Sequence, residues 1–236
     1  MWKLISPPAF NRFADKALPL CAGGAVLAFA IGLYYALFNS PPDYQQGETV
    51  RIMYIHVPSA MIGMGIYVAM AAVAAIGFVS NPAMADIFCV AAAPVGAVFV
   101  ALCLVTGSLW GEPTWGTWWV WDARLTSVLI LFFLYCGYMA LRHSFDDDFR
   151  GSRAGAILLL VGAVNIPIIK FSVKWWHTLH QGETFFRPGG PSIADSMLRP
   201  LLIMALGFCF YAALLVMLRM KTELLARRIE RARDEE

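Results

Sequence analysis

The chain has 236 residues, 59% of them hydrophobic and 14% charged, with a formal net charge of +2 and a mean hydropathy of +0.64. Soluble domains carry roughly 25% charged residues, so this balance excludes an ordinary soluble protein and points to the lipid bilayer; no nucleic-acid partner is expected. Five cysteines (Cys21, Cys89, Cys103, Cys136 and Cys209) lie in apolar runs and form neither CxxC nor CxxCH. Disulfide exchange and thioether chemistry are therefore not expected of this chain, and the thiols read as small buried hydrophobes.

A hydrocarbon layer of about 30 Å needs about 20 apolar residues in a helix. Six segments qualify, near 18–38, 55–79, 87–108, 123–141, 154–172 and 197–219. The second opens on His56-Val-Pro58, with its proline in a first turn, where proline is tolerated. The fifth holds Asn165-Ile-Pro167, which predicts a kink with the freed carbonyl turned to protein. Gly63, Gly65, Gly96, Gly155 and Gly162 lie within spans and predict close helix contacts. Lys170 sits near a span end and can snorkel. The last segment continues into a predicted cytoplasmic helix over 220–236, with Glu223 and Arg227 at favourable i,i+4 spacing. That helix reads as a solvated extension or as a docking element. Asp146, Asp147 and Asp148 read as a solvated run. The whole chain is one predicted domain, 1–236.

Six spans put both termini on one side. Lys3, Arg12, Lys16, Arg142, Arg150, Arg153, Arg219, Lys221, Arg227, Arg228, Arg231 and Arg233 fall together, twelve basic residues on one face. The opposite loops hold Arg51, Lys174 and Arg187. The excess predicts cytoplasmic termini and outer loops over 39–54, 109–122 and 173–196. The first apolar run is long and others follow, so it reads as a retained anchor rather than a cleaved signal.

Seven of the eight tryptophans fall on the predicted outer side: Trp110, Trp115, Trp118, Trp119, Trp121, Trp175 and Trp176. An ordinary aromatic belt decorates both interfaces. Indole is large and its N–H wants a partner, so a core would not choose five tryptophans in twelve residues. The segment 109–126, rings among glycines ended by Asp122 and Arg124, predicts a flat apolar surface for a planar ligand. The plainer reading is a lipid anchor.

Of the four histidines, His143 reads as a surface residue beside Arg142. His56 lies at the outer end of the second span, and His177 and His180 in the last outer loop. Imidazole is a common axial ligand of haem iron, and a porphyrin suits aromatic walls. Two imidazoles from different loops can bracket an iron. Arg51, Arg124 and Lys174 are the nearby cations for two propionates; Arg124 reads equally as a structural partner of Asp122.

The run Trp115-Gly-Thr-Trp118-Trp119-Val-Trp121-Asp122-Ala-Arg124-Leu125-Thr126 resembles the signature of the WWD haem-handling family. Six spans, this length and a flanking outer histidine on each side resemble its CcmC branch rather than the larger CcmF. The resemblance covers nearly the whole chain. It implies axial ligation by His56 and by His180 of Trp-Trp-x-Thr-Leu-His-Gln, with His177 at a variable position. It further implies a bed of Trp115, Trp118, Trp119 and Trp121, with Asp122 and Arg124 at its end. The cargo would be haem b, bound at the periplasmic face of a bacterial inner membrane. Partners implied are the membrane-anchored haem chaperone CcmE, the ABC subunits CcmA and CcmB, and the small CcmD. Such a protein presents haem and is not an enzyme.

Two other classes compete. A transporter carrying haem through its own spans should show acidic residues or paired broken helices within them, and the sequence lacks both. A b-type electron-transfer subunit usually places histidines deep in helices, whereas these sit at one surface. No Walker motif and no nucleophile pair is present. The topology predicts that cysteines introduced near residues 45, 115 and 185 react with an impermeant reagent from outside, and that a C-terminal reporter reads cytoplasmic. Labelling of the tryptophan segment from the cytoplasm would overturn this scheme.

Overall fold

The computed structural model describes residues 6–80, 83–176, 178–180 and 193–234. Among the described residues, seven α-helices make six spans: α1 (Pro7–Tyr34), α2 (Met53–Ser80), α3 (Ala83–Trp115), α4 (Ala123–Arg142), α5 (Asp148–Gly162), α6 (Asn165–Trp175) and α7 (Asp195–Asp234). All six spans are long and apolar enough to cross a bilayer. No strand occurs among the described residues. The chain is therefore an all-α, multi-pass membrane protein, and the predicted span count holds.

The helices outrun their apolar runs. Helix α1 begins at Pro7, with proline at a first helical position. Helix α2 starts at Met53, after a 3₁₀ turn over Glu48–Ile52, so Pro58 lies beyond the first turn. Helix α3 reaches Trp115, leaving only 116–122 as loop where 109–122 was expected. Gly116, at φ 73°, ends it in the left-handed region. The residues after 220 are not a separate helix: α7 runs unbroken to Asp234.

Span five does break, at Ala163 and Val164, ahead of Pro167. Asn165 is buried there, and its Nδ2 donates to the Ser127 carbonyl at 2.8 Å. Four of the five expected glycine contacts form. A Cβ on Gly63 would stand 2.6 Å from Val100, and one on Gly155 2.8 Å from Tyr138; Gly96 and Gly162 sit tighter still, against Tyr135 and Tyr67. Gly65 faces open space. Around these contacts Tyr67, Met70, Leu131, Tyr135 and Leu159 form the central core. Helix α3 is the axis of the bundle, with 61% of its most apolar window buried against 33% or less in the other spans. The cysteines are all free; Cys89 and Cys103 are buried, but Cys209 is exposed on the flank of α7.

At one end an ion-pair cluster ties four helices together. Arg142 is 6% exposed. It grips Asp86 through Nε at 3.1 Å and Nη2 at 3.0 Å, and reaches Asp148 at 2.7 Å. Arg227 adds a second contact to Asp86 at 2.6 Å and one to Glu223 at 2.6 Å. The extension of α7 is thus pinned to the start of α3 rather than simply solvated. The aspartate run also has work: Asp147 caps α5, accepting from the Phe149 and Arg150 amides, and Asp148 meets Arg142. Breaking a buried pair leaves a charge uncompensated. Arg142→Met is expected to destabilise the bundle by about 3 kcal/mol, the low end for such a loss because Arg227 still faces Asp86. The double variant Asp86→Asn/Arg142→Met should cost less than the sum of the single changes. Denaturation in detergent micelles measures both.

Candidate functional site

The opposite end carries the histidines and tryptophans. His56 stands in the first turn of α2. Its Nδ1 lies 3.0 Å from the Cys103 carbonyl and 3.2 Å from Thr106 Oγ1, both on α3. A carbonyl can only accept, and the Thr106 hydroxyl is itself donated to the Leu102 carbonyl at 2.6 Å. Nδ1 therefore carries the proton, and Nε2 is the nitrogen left for a ligand. Gly107 makes room for the ring, since a Cβ there would stand 2.9 Å from His56 Cε1. Trp110 meets the same imidazole edge-on at 5.7 Å, with its own Nε1 donating to Gln46 at 2.9 Å.

His180 follows the same rule with a different partner. Its Nδ1 lies 3.4 Å from Asp122 Oδ2. Asp122 also caps α4, its Oδ1 accepting from the Leu125 amide at 2.7 Å. One carboxylate thus fixes both a helix start and an imidazole, an arrangement typical of histidines that ligate metals. Trp115 lies against the His180 ring at 4.9 Å, and Gly111 lets that indole fold back on its own helix. Burial holds the His180 imidazole below its usual pKa, aided by the Arg124 charge and opposed by Asp122. His180 is therefore neutral at pH 7, the form that binds a metal.

Both histidines line one cavity of about 660 Å³, within the size range of small-molecule sites. Trp110, Trp115 and Trp119 share its wall, and Arg124, Lys170 and Lys174 are its cations. Its floor descends among the helices to Val100 and Leu131. The expectation was a flat bed at loop level; the space is a recess instead, because α3 carries Trp110 and Trp115 on helix rather than loop.

The expected residues separate accordingly. His56, His180, Trp115, Trp119 and Arg124 converge, and Asp122 stands behind His180. Trp118 and Trp121 do not line the cavity and are 57% and 75% exposed; Trp121 meets Trp119 edge-on at 5.5 Å. Arg51 is turned elsewhere. It pairs with Glu48 and donates to the carbonyls of Ala36, Leu37 and Ser40, just beyond the end of α1. Arg124 Nε donates to Ser172 Oγ on α6 at 3.3 Å. His143 sits at the other end of α4. His177 lies outside the described residues. Sequence reasoning missed Trp110, Gly107 and Lys170 as parts of the site. Thr106-Gly107 one turn before Trp110 was the available signal.

The heme exporter protein C family, CcmC, matches residues 1–235. This chain belongs to that family. It is 50% identical to heme exporter protein C of Bradyrhizobium diazoefficiens, over 96% of this chain and 86% of that one. It is 47% identical to heme exporter protein C of Escherichia coli K12, over 95% and 92%. A putative cytochrome c biosynthesis ccmC-like mitochondrial protein of Marchantia polymorpha is 41% identical, over 94% and 95%. The CcmC family handles haem in the membrane and is not enzymatic.

The geometry generates a titration test. Histidine NMR should place the His180 pKa below the usual value of about 6.5. Asp122→Asn should lower it further, because Asp122 is one of the groups that raise it; asparagine keeps the helix cap. A rise in Asp122→Asn would refute the assigned pairing.

Proposed function

We propose that this chain binds haem b as cargo in the cavity, with His56 and His180 as the two axial ligands of its iron. The observation that carries this reading is the matched pair of imidazoles. Each has Nδ1 engaged, by the Cys103 carbonyl or by Asp122, and each has Nε2 left for a metal, on the wall of one apolar recess. Trp110, Trp115 and Trp119 supply apolar walls for the macrocycle. Arg124, Lys170 and Lys174 supply charge for the two propionates, Arg124 being suited to a bidentate contact. Asp122 acts on the metal through His180, raising the basicity of that ligand. Trp118 and Trp121 stand outside the cavity and are assigned to the face a partner meets.

The chain then serves c-type cytochrome maturation by presenting haem, on the periplasmic face of a bacterial inner membrane, to the membrane-anchored chaperone CcmE. Support comes from the family and from the basic excess at the end away from the histidines, which favours cytoplasmic termini under the positive-inside rule. Nothing in the sequence suggests nucleotide binding, so any ATP use falls to CcmA with CcmB, beside CcmD.

His56→Ala and His180→Ala are each expected to abolish the two-imidazole haem spectrum of the purified chain, and His143→Ala to leave it unchanged. Retention of that spectrum in either of the first two rejects the ligand pair. Trp115→Ala or Trp119→Ala should weaken haem binding by about 1–3 kcal/mol, the scale of one large apolar side chain. Trp121→Ala should cost less, and equal losses at Trp119 and Trp121 would return the flat-bed arrangement.

A further inference from the structure

The break in span five shapes more than a helix. Its inner half, α5, packs on both α2 and α4, whereas its outer half, α6, follows α4. Two contacts fasten α6 there: Asn165 Nδ2 to the Ser127 carbonyl at 2.8 Å, and Ser172 Oγ with Arg124 at 3.3 Å. The outer half of α2 is thereby left facing α7 with α6 drawn aside, and the cavity extends into that space.

Where it reaches the side of the bundle can be read from exposure. Met61 on α2 and Leu202 on α7 both line the cavity, yet they are 54% and 57% exposed. Lys170 and Lys174 on α6 also line it and are exposed. A side chain that walls a cavity and is half open on the flank of a transmembrane helix marks a mouth. Met61 lies five residues beyond His56 along α2, about 7.5 Å at the helical rise. That depth falls within the roughly 15 Å of acyl chain in the nearer leaflet.

We propose that haem reaches this cavity sideways, from the lipid of the leaflet on the histidine side, through the mouth between Met61, Leu202 and α6. Haem in a bilayer holds its macrocycle among acyl chains and its carboxylates at headgroup level. Lateral movement keeps both at their depth. The propionates pass along Lys170 and Lys174 toward Arg124 without being carried through hydrocarbon, which is costly for a carboxylate. The macrocycle meanwhile exchanges acyl chains for Met64, Leu198 and the indoles without crossing water. The source of this cargo is thus the bilayer. The proposal rests on the cavity being the haem site.

The test reconstitutes the full chain in phosphatidylcholine vesicles and follows the two-imidazole spectrum after haem is dissolved in their lipid. In the Met61→Trp/Leu202→Trp variant the loading rate is expected to fall about tenfold, within the range by which on-rates vary among variants of one site. The end-point spectrum should match that of the unmodified chain. Leu27→Trp, on the exposed flank of α1, should change neither. Met61→Ala/Leu202→Ala should load faster to the same end point, which keeps the test decisive if the tryptophans fill the site itself. Unchanged rates in both double variants overturn the lateral route. A two-imidazole spectrum that survives in His56→Ala instead defeats the site reading, whatever the rates.

Discussion

An imidazole that is to hold a metal must have one nitrogen bare and its ring fixed, and the histidine-bearing end of this protein meets that condition twice. For His56 the fixing group is the backbone of a neighbouring helix. Its Nδ1 reaches the Cys103 carbonyl because α2 and α3 approach closely, with Gly63 against Val100 and Gly107 against the ring itself. For His180 the fixing group is Asp122, which is held in turn by capping α4. The loop that brings Asp122 there is short because Gly116 ends α3 sharply. Helix register, a left-handed glycine and an N-cap thus all bear on the placement of two nitrogens.

The two ends of the bundle are built on opposite principles. One is closed by paired charges, where Asp86, Arg142 and Arg227 lock the start of α3 to the ends of α4 and α7. The other is open, and its polar groups line a space instead of filling it. The central helix α3 joins the two ends, with Asp86 at its start and the His56 partners and two indoles toward its other end. The break between α5 and α6 is what allows both: α5 completes the packed core beside Tyr67 and Leu159, while α6 leaves room above it.

Much of this was legible in the sequence. Six spans, the kink at Asn165-Ile-Pro167 and the gathering of His56, His180 and the tryptophans at one end follow from apolar length, proline and chain direction. What was not legible depends on where helices stop. Hydropathy marks the apolar run, not the helix, so the third span reads as ending at 108, seven residues short of Trp115, and a helical wall reads as a flat loop. Trp118 and Trp121 were grouped with Trp115 and Trp119 because neighbours in a loop carry no period to separate them. Arg51 looked like a partner for an anion. Its commitment to the carbonyls of Ala36, Leu37 and Ser40 depends on a contact across eleven to fifteen residues that composition does not encode. The role of Gly107 was hidden for the same reason: only the packed pair of α2 and α3 reveals which ring it admits.

The central claim is that both axial ligands of a single haem iron come from this one chain. Pulsed electron paramagnetic resonance of the ferric complex, formed on protein carrying ¹⁵N-labelled histidine, tests it most directly. The account requires a low-spin iron coupled to two equivalent-type ¹⁵N nuclei, with the proton on the remote nitrogen of each ring. A high-spin iron, or coupling to a single imidazole, would contradict it.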